Sequence, residues 1–418
     1  MNIVEKKVYD VLKGYPGLKF FVRNIYQDFC DLIMTKKEYF YKPIIYKENH
    51  FFGFHDVSPF SFDNTKILSN ELVIPLRMPL EGESLNVGYF NFDGENFNEY
   101  VEVGKSTAWN YHKGCRLQWL DANRLIYNTK KSSRLCSVIY DINNKDDSII
   151  DYPIDSVSNK GIYATSFSYK RLEKYMPGYG YICDDNAFLE ECAPNNTGLF
   201  ILNLKTGLID EMISINDLVS NIDDQYKTEK FKHYVTHSEF SLDDKYISFF
   251  HRWVSDDVRK RYTRLLIYDR CKKNIIEMPT GLMSSHYMWI SGKELIAYCN
   301  VDGHDSHVIF SVDDVISYKV MSEELLNVDG HQTVVDKNKF IIDTYPDKNR
   351  IAHLYMIDVE KNERELLAGI YSPKEYQTRD FKRHIACDIH PRLSRDKKYL
   401  SFDAIREGKR SHCIMRVR

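Results

Sequence analysis

A unit of two short apolar strands joined by a polar turn recurs along this chain of 418 residues. In the clearest copies a histidine begins the unit, and a turn residue follows six positions later. These copies begin at His237, His286, His331 and His390, and weaker copies begin at Val57, Cys115 and Tyr163. Seven successive copies indicate stacked units, because one copy is too small to bury its own apolar face.

A third strand rich in aromatic and β-branched residues follows the first two strands of each copy, as in residues 198–204 and 264–270. A fourth strand follows in the first six copies, but the seventh copy reaches the last residue, Arg418, without one. Segment 41–47 is predicted to supply it, which closes a ring without a free sheet edge. We therefore predict an all-β fold, a seven-bladed β-propeller, over residues 41–418.

Residues 1–40 are predicted to form an N-terminal helical extension outside the ring. The apolar positions 18, 21, 22, 25, 29, 32 and 33 recur at helical spacing. One interpretation packs this helix on the propeller. The other exposes it for peripheral docking to a membrane or a partner, assisted by Lys19, Arg23, Lys36 and Lys37.

Charge and cysteine content limit the partners and the location. A net charge of −3 gives no general attraction to nucleic acid, so we expect no nucleic-acid partner. Nine cysteines without paired spacing are typical of a reduced compartment. We find no secretory signal and no apolar run of about 18 residues that would form a transmembrane segment. A cytoplasmic protein is the expectation.

The histidines that begin four consecutive copies occupy equivalent positions, and His55 lies two residues before the marker of the first copy. Equivalent residues of successive blades surround the axis, so these imidazoles should meet at one mouth of the central channel. The second strand of each blade returns to the same mouth and brings Arg252, Tyr345 and Lys130 there. A single histidine at such a position is more often structural, but several in register favour a functional centre.

Two chemistries suit such a centre. Converging neutral imidazoles bind first-row transition metals. Without a metal, histidine and tyrosine can act as general base and acid on an anionic substrate. In both cases an arginine would hold a substrate carboxylate through its planar guanidinium.

Several motifs in the second half of the chain carry a family resemblance. The runs SSHYMW, DGHQ, DTYPD and DIHPRLSRDKKYLSFD resemble the later blades of the oligogalacturonate lyases, polysaccharide lyase family 22. Upstream, GFHDVSPFS and WNYHKGCRLQWL are similar to motifs of related bacterial propellers. The resemblance implies a lyase that cleaves a glycosidic bond next to a uronic acid by β-elimination, with Mn²⁺ near the substrate carboxylate.

The resemblance also implies roles for individual residues. The metal ligands would be His286, His331 and His390. The catalytic residues would be His237 and Arg252, with Arg252 as carboxylate clamp or base. Tyr345 is predicted to join them because of its place at the mouth. The residues expected to bind the anionic oligosaccharide or polysaccharide are His55, Trp109, Lys130 and Arg392. In place of the family's close pair of histidine ligands preceded by glutamine, this chain has Asp388-Ile389-His390.

Three alternatives stay open at this point. A metal-free lyase would use histidine and Tyr345 as base and acid. A glycoside hydrolase would need two carboxylates across the mouth, and the marker positions supply none. A non-catalytic propeller would bind a glycan or a protein.

Overall fold

The structure, a computed structural model, describes residues 7–8, 11–12, 14–33, 38–183, 187–313, 315–378 and 383–418. Its strands form seven antiparallel sheets, which are the blades of a β-propeller. The predicted all-β fold with seven blades and an N-terminal helix is confirmed.

The strands of blades 1 to 5 follow one another in the chain, and the blades are numbered here in chain order. Blade 1 contains His50–Phe51, Lys66–Glu71, Leu85–Phe92 and Phe97–Ser106; blade 2 contains Gln118–Trp119, Arg124–Lys131, Arg134–Asp141 and Asp146–Ile150; blade 3 contains Tyr163–Ser166, Gly198–Asn203 and Leu208–Ser214. Blade 4 contains Lys232–Phe240, Tyr246–Val254, Arg261–Asp269 and Asn274–Glu277; blade 5 contains Ser284–Trp289, Glu294–Val301, His304–Ser311 and Ser317–Val320.

The last two blades each take one strand from the N-terminal segment. Blade 6 contains Gln332–Asp336, Lys339–Asp343, Ile351–Asp358, Glu363–Tyr371 and Tyr39–Phe40; blade 7 contains Arg392–Leu393, Tyr399–Arg406, Lys409–Arg416 and Ile44–Glu48. In blade 7, Ile45 pairs with Ile414 on the last strand of the chain. The N-terminal segment thus bridges the junction between the end and the beginning of the ring.

The third copy of the repeat begins earlier than the sequence indicated. Tyr163 was expected to begin its first strand, but Tyr163–Ser166 is the second strand of blade 3. A short preceding segment takes the first position, because Val157 bridges Ala164 and Asp155 donates its backbone N–H to Thr165. The long insertion at 167–197 separates the second strand from the third, and the sequence pattern therefore did not show which strand begins at Tyr163.

Three α-helices have both ends among the described residues: α1 (Pro16–Ile33), α2 (Tyr169–Tyr175) and α3 (Ile215–Ser220). Two short 3₁₀ turns cover Asp224–Tyr226 and Lys374–Tyr376. No helix in these ranges is both long enough and apolar enough to cross a membrane.

The core lies between neighbouring blades rather than in one central layer. Phe250 of blade 4 and Tyr287 and Trp289 of blade 5, for example, belong to the same apolar cluster. Because each blade is covered on both faces, its inner strands are apolar on both faces. This arrangement leaves the axis for polar side chains.

Candidate functional site

Five imidazoles gather around the ring of Phe54 at the axis. The His286 and His390 rings lie 4.1 and 4.2 Å from the ring of His331, and the His55 ring lies 5.1 Å from it. His237 lies on the other side of Phe54, with 5.0 Å between ring centroids. The four marker histidines therefore meet, as their equivalent positions predicted.

Local backbone geometry aims two of these side chains. His237 has a φ of 52°, in a strand whose register shifts between Thr236 and Glu239. His390 has a φ of 48°. Residues other than glycine rarely adopt a positive φ, because this backbone conformation is strained. Strained residues of this kind are concentrated at functional sites. The bulge turns the His237 ring out of the regular alternation of its strand.

Burial sets the charge state of most of the cluster. It lowers the pKa of His55, His237 and His390 well below the ordinary value, and the neighbouring cationic groups add to this effect. Burial also lowers the pKa of His286, although Asp329 opposes it. These four rings are neutral at physiological pH, which is the form that binds metals or accepts protons.

His331 differs because a buried carboxylate faces it. Its Nδ1 lies 3.0 Å from both carboxylate oxygens of Asp343. Burial acts to lower the pKa of His331, but Asp343 outweighs it and raises the pKa above the ordinary value. Asp343 also accepts the backbone N–H groups of His331 and His390, at 2.7 and 3.0 Å. One carboxylate therefore positions two members of the cluster.

Three side chains offer ligand atoms that could hold one metal ion. Atoms of His331, Asp388 and His390 all lie within 4.8 Å of one another. The Nδ1 of His390 is buried, and no group in the described part of the chain hydrogen-bonds to it. Nδ1 of His331 is hydrogen-bonded to Asp343. This bond orients the ring, as carboxylate partners of metal-binding histidines do. Two imidazoles and a carboxylate suit Mn²⁺, Fe²⁺ or Zn²⁺, so the residues present fit a divalent metal.

The third member of this group is Asp388 rather than His286. The Nδ1 of His286 instead lies 3.0 Å from Asp329. Sequence reasoning noted Asp388-Ile389-His390 without assigning Asp388 a role. The available signal was its position two residues before His390, which puts both side chains on one face of an extended segment.

Arg252 is a buried cation whose hydrogen-bond acceptors among the described residues are all neutral. Its guanidinium donates to Thr263 Oγ1 at 3.1 Å and to the carbonyl of Ser284 at 3.2 Å. Among the described residues, no carboxylate forms an ion pair with it. Burial, followed by the charge of Arg261, lowers the pKa of Arg252 to about 10. An incoming carboxylate would therefore find an uncompensated positive charge.

Arg252 and His237 both lie close to the ring of Phe250. The Phe250 ring centroid is 4.4 Å from the Arg252 guanidinium and 5.7 Å from the His237 ring. The Tyr345 ring lies 5.8 Å from the ring of His331 and 6.4 Å from that of His286. The Tyr345 side chain remains 45% exposed, so it is accessible from the mouth.

Three of the residues predicted to bind substrate are engaged within the protein. Trp109 is buried in an apolar cluster and donates its indole N–H to the carbonyl of Glu83. Lys130 Nζ lies 3.9 Å from Glu81. Arg392 donates to Asp403 at 2.9 Å. Of the four predicted residues, only His55 makes a described ring contact with the other cluster histidines, and the roles of all four stay predictions.

A buried ion network beneath the cluster was not anticipated. Lys113 Nζ lies 2.8 Å from Asp155, and Arg116 pairs with Asp56 at 2.8 Å. Asp155 also accepts the backbone N–H of Ser238, next to His237. Burial raises the pKa of Asp155, but Lys113 and Arg116 outweigh it and hold that pKa at about 2. This network fixes the floor of the site.

The insertion in blade 3 supplies a wall that the repeat pattern could not predict. Tyr179 stacks on His112 with 4.4 Å between ring centroids, and it lies 5.7 Å from His237. His112 in turn places Nδ1 3.3 Å from Asp388.

The whole fold is similar to that of two solved lyases. An oligogalacturonate lyase in complex with manganese superposes with a TM-score of 0.61 and 14% identity, covering 92% of this chain and 99% of that one. The oligogalacturonate lyase from Vibrio parahaemolyticus gives a TM-score of 0.58 and 13% identity, with the same coverage. No protein-family model and no curated protein matches the sequence. The chain is thus a seven-bladed β-propeller with the fold of the oligogalacturonate lyases.

Proposed function

We propose that this protein is a lyase that cleaves uronate-containing oligosaccharides or polysaccharides by β-elimination. The observation that carries the proposal is the cluster itself, in which neutral imidazoles, a candidate metal group and the uncompensated Arg252 surround one mouth. The similarity of fold to oligogalacturonate lyases supports the proposal. The resemblance of the sequence motifs supports it independently.

Arg252 would bind the carboxylate of the uronate. Its planar guanidinium can donate two parallel hydrogen bonds to both oxygens. Burial, Lys113 and Arg252, in this order, lower the pKa of His237. The bound carboxylate would neutralise the charge of Arg252 and so remove its effect on that pKa. Substrate binding therefore makes His237 a stronger base at the moment it is required.

His237 would then accept the proton from C5 of the uronate. Its Nδ1 lies 2.8 Å from Thr236 Oγ1, which orients the ring and leaves Nε2 for the substrate. The C5–H electron pair forms the C4–C5 double bond as the C4–O4 bond breaks. Tyr345, which is accessible in the mouth, would give its proton to the departing O4.

We further propose that His331, Asp388 and His390 hold a divalent metal, Mn²⁺ in the family that the sequence resembles. When bound, the metal would supply positive charge that stabilises the charge developing on the uronate carboxylate. The neutral state of His390 and the orientation of His331 by Asp343 prepare both imidazoles as ligands. A metal-free route would retain His237, Arg252 and Tyr345 in the same roles.

The test is ultraviolet absorbance of the conjugated C4–C5 double bond on a panel of uronate glycans, with added Mn²⁺ or with EDTA. A rise that EDTA abolishes is expected. A rise that EDTA leaves unchanged would retain the lyase and remove the metal. Reducing ends without absorbance would identify a hydrolase, and neither signal on any glycan would identify a binding propeller; both results would overturn the lyase.

A further inference from the structure

Helix α1 presents its apolar residues to the outside. All seven of its exposed residues are apolar or aromatic: Leu18, Phe21, Ile25, Tyr26, Phe29, Leu32 and Ile33, with exposed fractions of 42% to 84%. The helix does contact the propeller, but through other residues than these. A contiguous apolar strip of this kind marks an interaction surface.

The polar face of α1 is the one that contacts the propeller. Arg350, which is fully buried, donates to Asp28 at 2.7 Å and to Asp31 at 2.6 Å. Gln27 is also buried, and it donates to the carbonyl of Asp347 at 2.9 Å. These specific bonds hold the helix in one rotational orientation. The outward direction of the apolar face is thus fixed by the structure of the propeller.

The propeller loop that binds Gln27 of α1 lies beside the histidine mouth. Gln27 also donates to the carbonyl of Pro346, which follows Tyr345 in the chain. Tyr345 is the residue that lies next to the rings of His331 and His286. At its other end α1 approaches Arg259 of blade 4, because a Cβ on Gly17 would lie 2.9 Å from that guanidinium. The helix therefore extends along the mouth side, from blade 4 to blade 6.

The sequence on either side of α1 is basic, and this indicates the kind of surface that the apolar face of α1 would bind. Residues 1–37 contain seven basic and four acidic residues, in a chain whose net charge is −3. Two of the four acidic residues, Asp28 and Asp31, are paired with Arg350. Lysines lie on both sides of the helix in the sequence, at positions 6, 7, 13, 36 and 37. An apolar face flanked by lysines is typical of helices that lie in the plane of an anionic bilayer.

A second copy of the chain fits this face less well. Pairing two copies through α1 would bring two basic segments together. A helix of 18 residues also offers a strip of only about 27 Å by 10 Å. This is well below the roughly 800 Å² per partner that a stable protein interface requires. A bilayer needs no such complementary area.

We propose that α1 docks the protein on an anionic lipid bilayer, with its apolar face among the headgroups and the histidine mouth beside the lipid surface. The proposal does not rest on the lyase activity, because binding can be measured without substrate. It predicts that the apolar residues supply adhesion and that the lysines supply preference for anionic lipid.

The test is co-sedimentation of the full chain with phosphatidylcholine vesicles, with and without phosphatidylglycerol. We expect binding to the anionic vesicles that falls at least tenfold in the double variant Phe21→Ser, Phe29→Ser. The matched control is Leu208→Ser, Val315→Ser, which changes two exposed apolar residues elsewhere and should bind as the wild type does. The triple variant Lys6→Gln, Lys7→Gln, Lys13→Gln should lose the preference for anionic vesicles, by about tenfold or more.

Two results would overturn the proposal. One is the absence of binding to anionic vesicles, or binding that the Phe21→Ser, Phe29→Ser variant retains. The other is a wild-type dimer in solution that this variant converts to a monomer without any vesicle binding, since a second copy would then cover the face. Both mutated rings are exposed, so the variant should fold normally, and circular dichroism can verify this.

Discussion

At the scale of single residues, the site depends on a guanidinium without a paired carboxylate and on imidazoles that burial keeps neutral. Arg252 is buried without a carboxylate partner among the described residues, whereas Arg392 is buried with Asp403. The second arrangement stabilises the fold, and the first is available to a ligand. Residue type alone does not distinguish them, because the difference lies in what each guanidinium contacts.

The ligand set of the proposed metal can be tested by two substitutions. We expect Asp388→Asn to weaken Mn²⁺ binding at least tenfold in calorimetry, because it removes a ligand charge from the group with His331 and His390. His286→Gln should change the affinity less than threefold, since the His286 ring is bonded to Asp329. The reverse order of effects would restore the set His286, His331 and His390 that the sequence resemblance implied.

The role of Arg252 predicts a specific kinetic loss. Arg252→Lys keeps the charge but loses the planar pair of donors, so kcat/KM on the cleaved glycan should fall about a hundredfold or more. Arg124→Lys, at an exposed arginine of blade 2, is the matched control and should leave kcat/KM unchanged. Equal rates for the two variants would remove Arg252 from the site. Thermal unfolding of both proteins would separate this effect from a loss of stability.

At the scale of elements, closure of the ring depends on a strand from the opposite end of the chain. Strand Ile44–Glu48 completes blade 7, and its first two side chains pack on different apolar clusters. Ile44 packs in the cluster with Phe402, and Ile45 packs in the cluster with Ile414. Successive residues of a strand point to opposite faces, so one strand seals both sides of the closing blade.

Truncation of these two side chains should weaken the closure. We expect Ile44→Ala, Ile45→Ala to lower the free energy of unfolding by about 2–4 kcal/mol, because each substitution leaves a partly filled space. Tyr41→Ala, three residues before Ile44 and exposed, should change it by less than about 0.5 kcal/mol. Urea unfolding of the three proteins measures both values. Equal stability of all three would show that the strand contributes little to holding the ring closed.

At the scale of the whole molecule, many buried histidines make stability depend on pH. Burial lowers the pKa of His233 and His307 to about 4 and that of His412 to about 3. A histidine in the unfolded chain titrates near 6.5, so below that pH the unfolded state binds more protons. The stability contributed by these neutral histidines is therefore present above about pH 6.5 and is lost as the pH falls toward 4.

We expect the free energy of unfolding to fall between pH 7 and pH 5 by about 1–2 kcal/mol for each of His233, His307 and His412. Denaturant unfolding at a series of pH values measures this slope. His412→Gln should reduce the slope, because it removes one of the groups that titrate on unfolding. His304→Gln, at an exposed histidine, should leave it unchanged, and stability that rises on acidification would contradict the prediction.

The sequence by itself determined the repeat, the number of blades and the gathering of the marker histidines. These follow from periodicity, since equivalent residues of equivalent units must surround one axis. Only the tertiary structure decided that Asp388 lies beside His331 and His390, that Arg252 has no carboxylate partner among the described residues and that Tyr163 begins a second strand. It also decided which face of α1 is exposed, because Arg350, more than 300 residues away in the chain, binds the polar face. Contacts between distant segments leave no local pattern, and for this reason the periodicity of α1 predicted a helix but not its orientation.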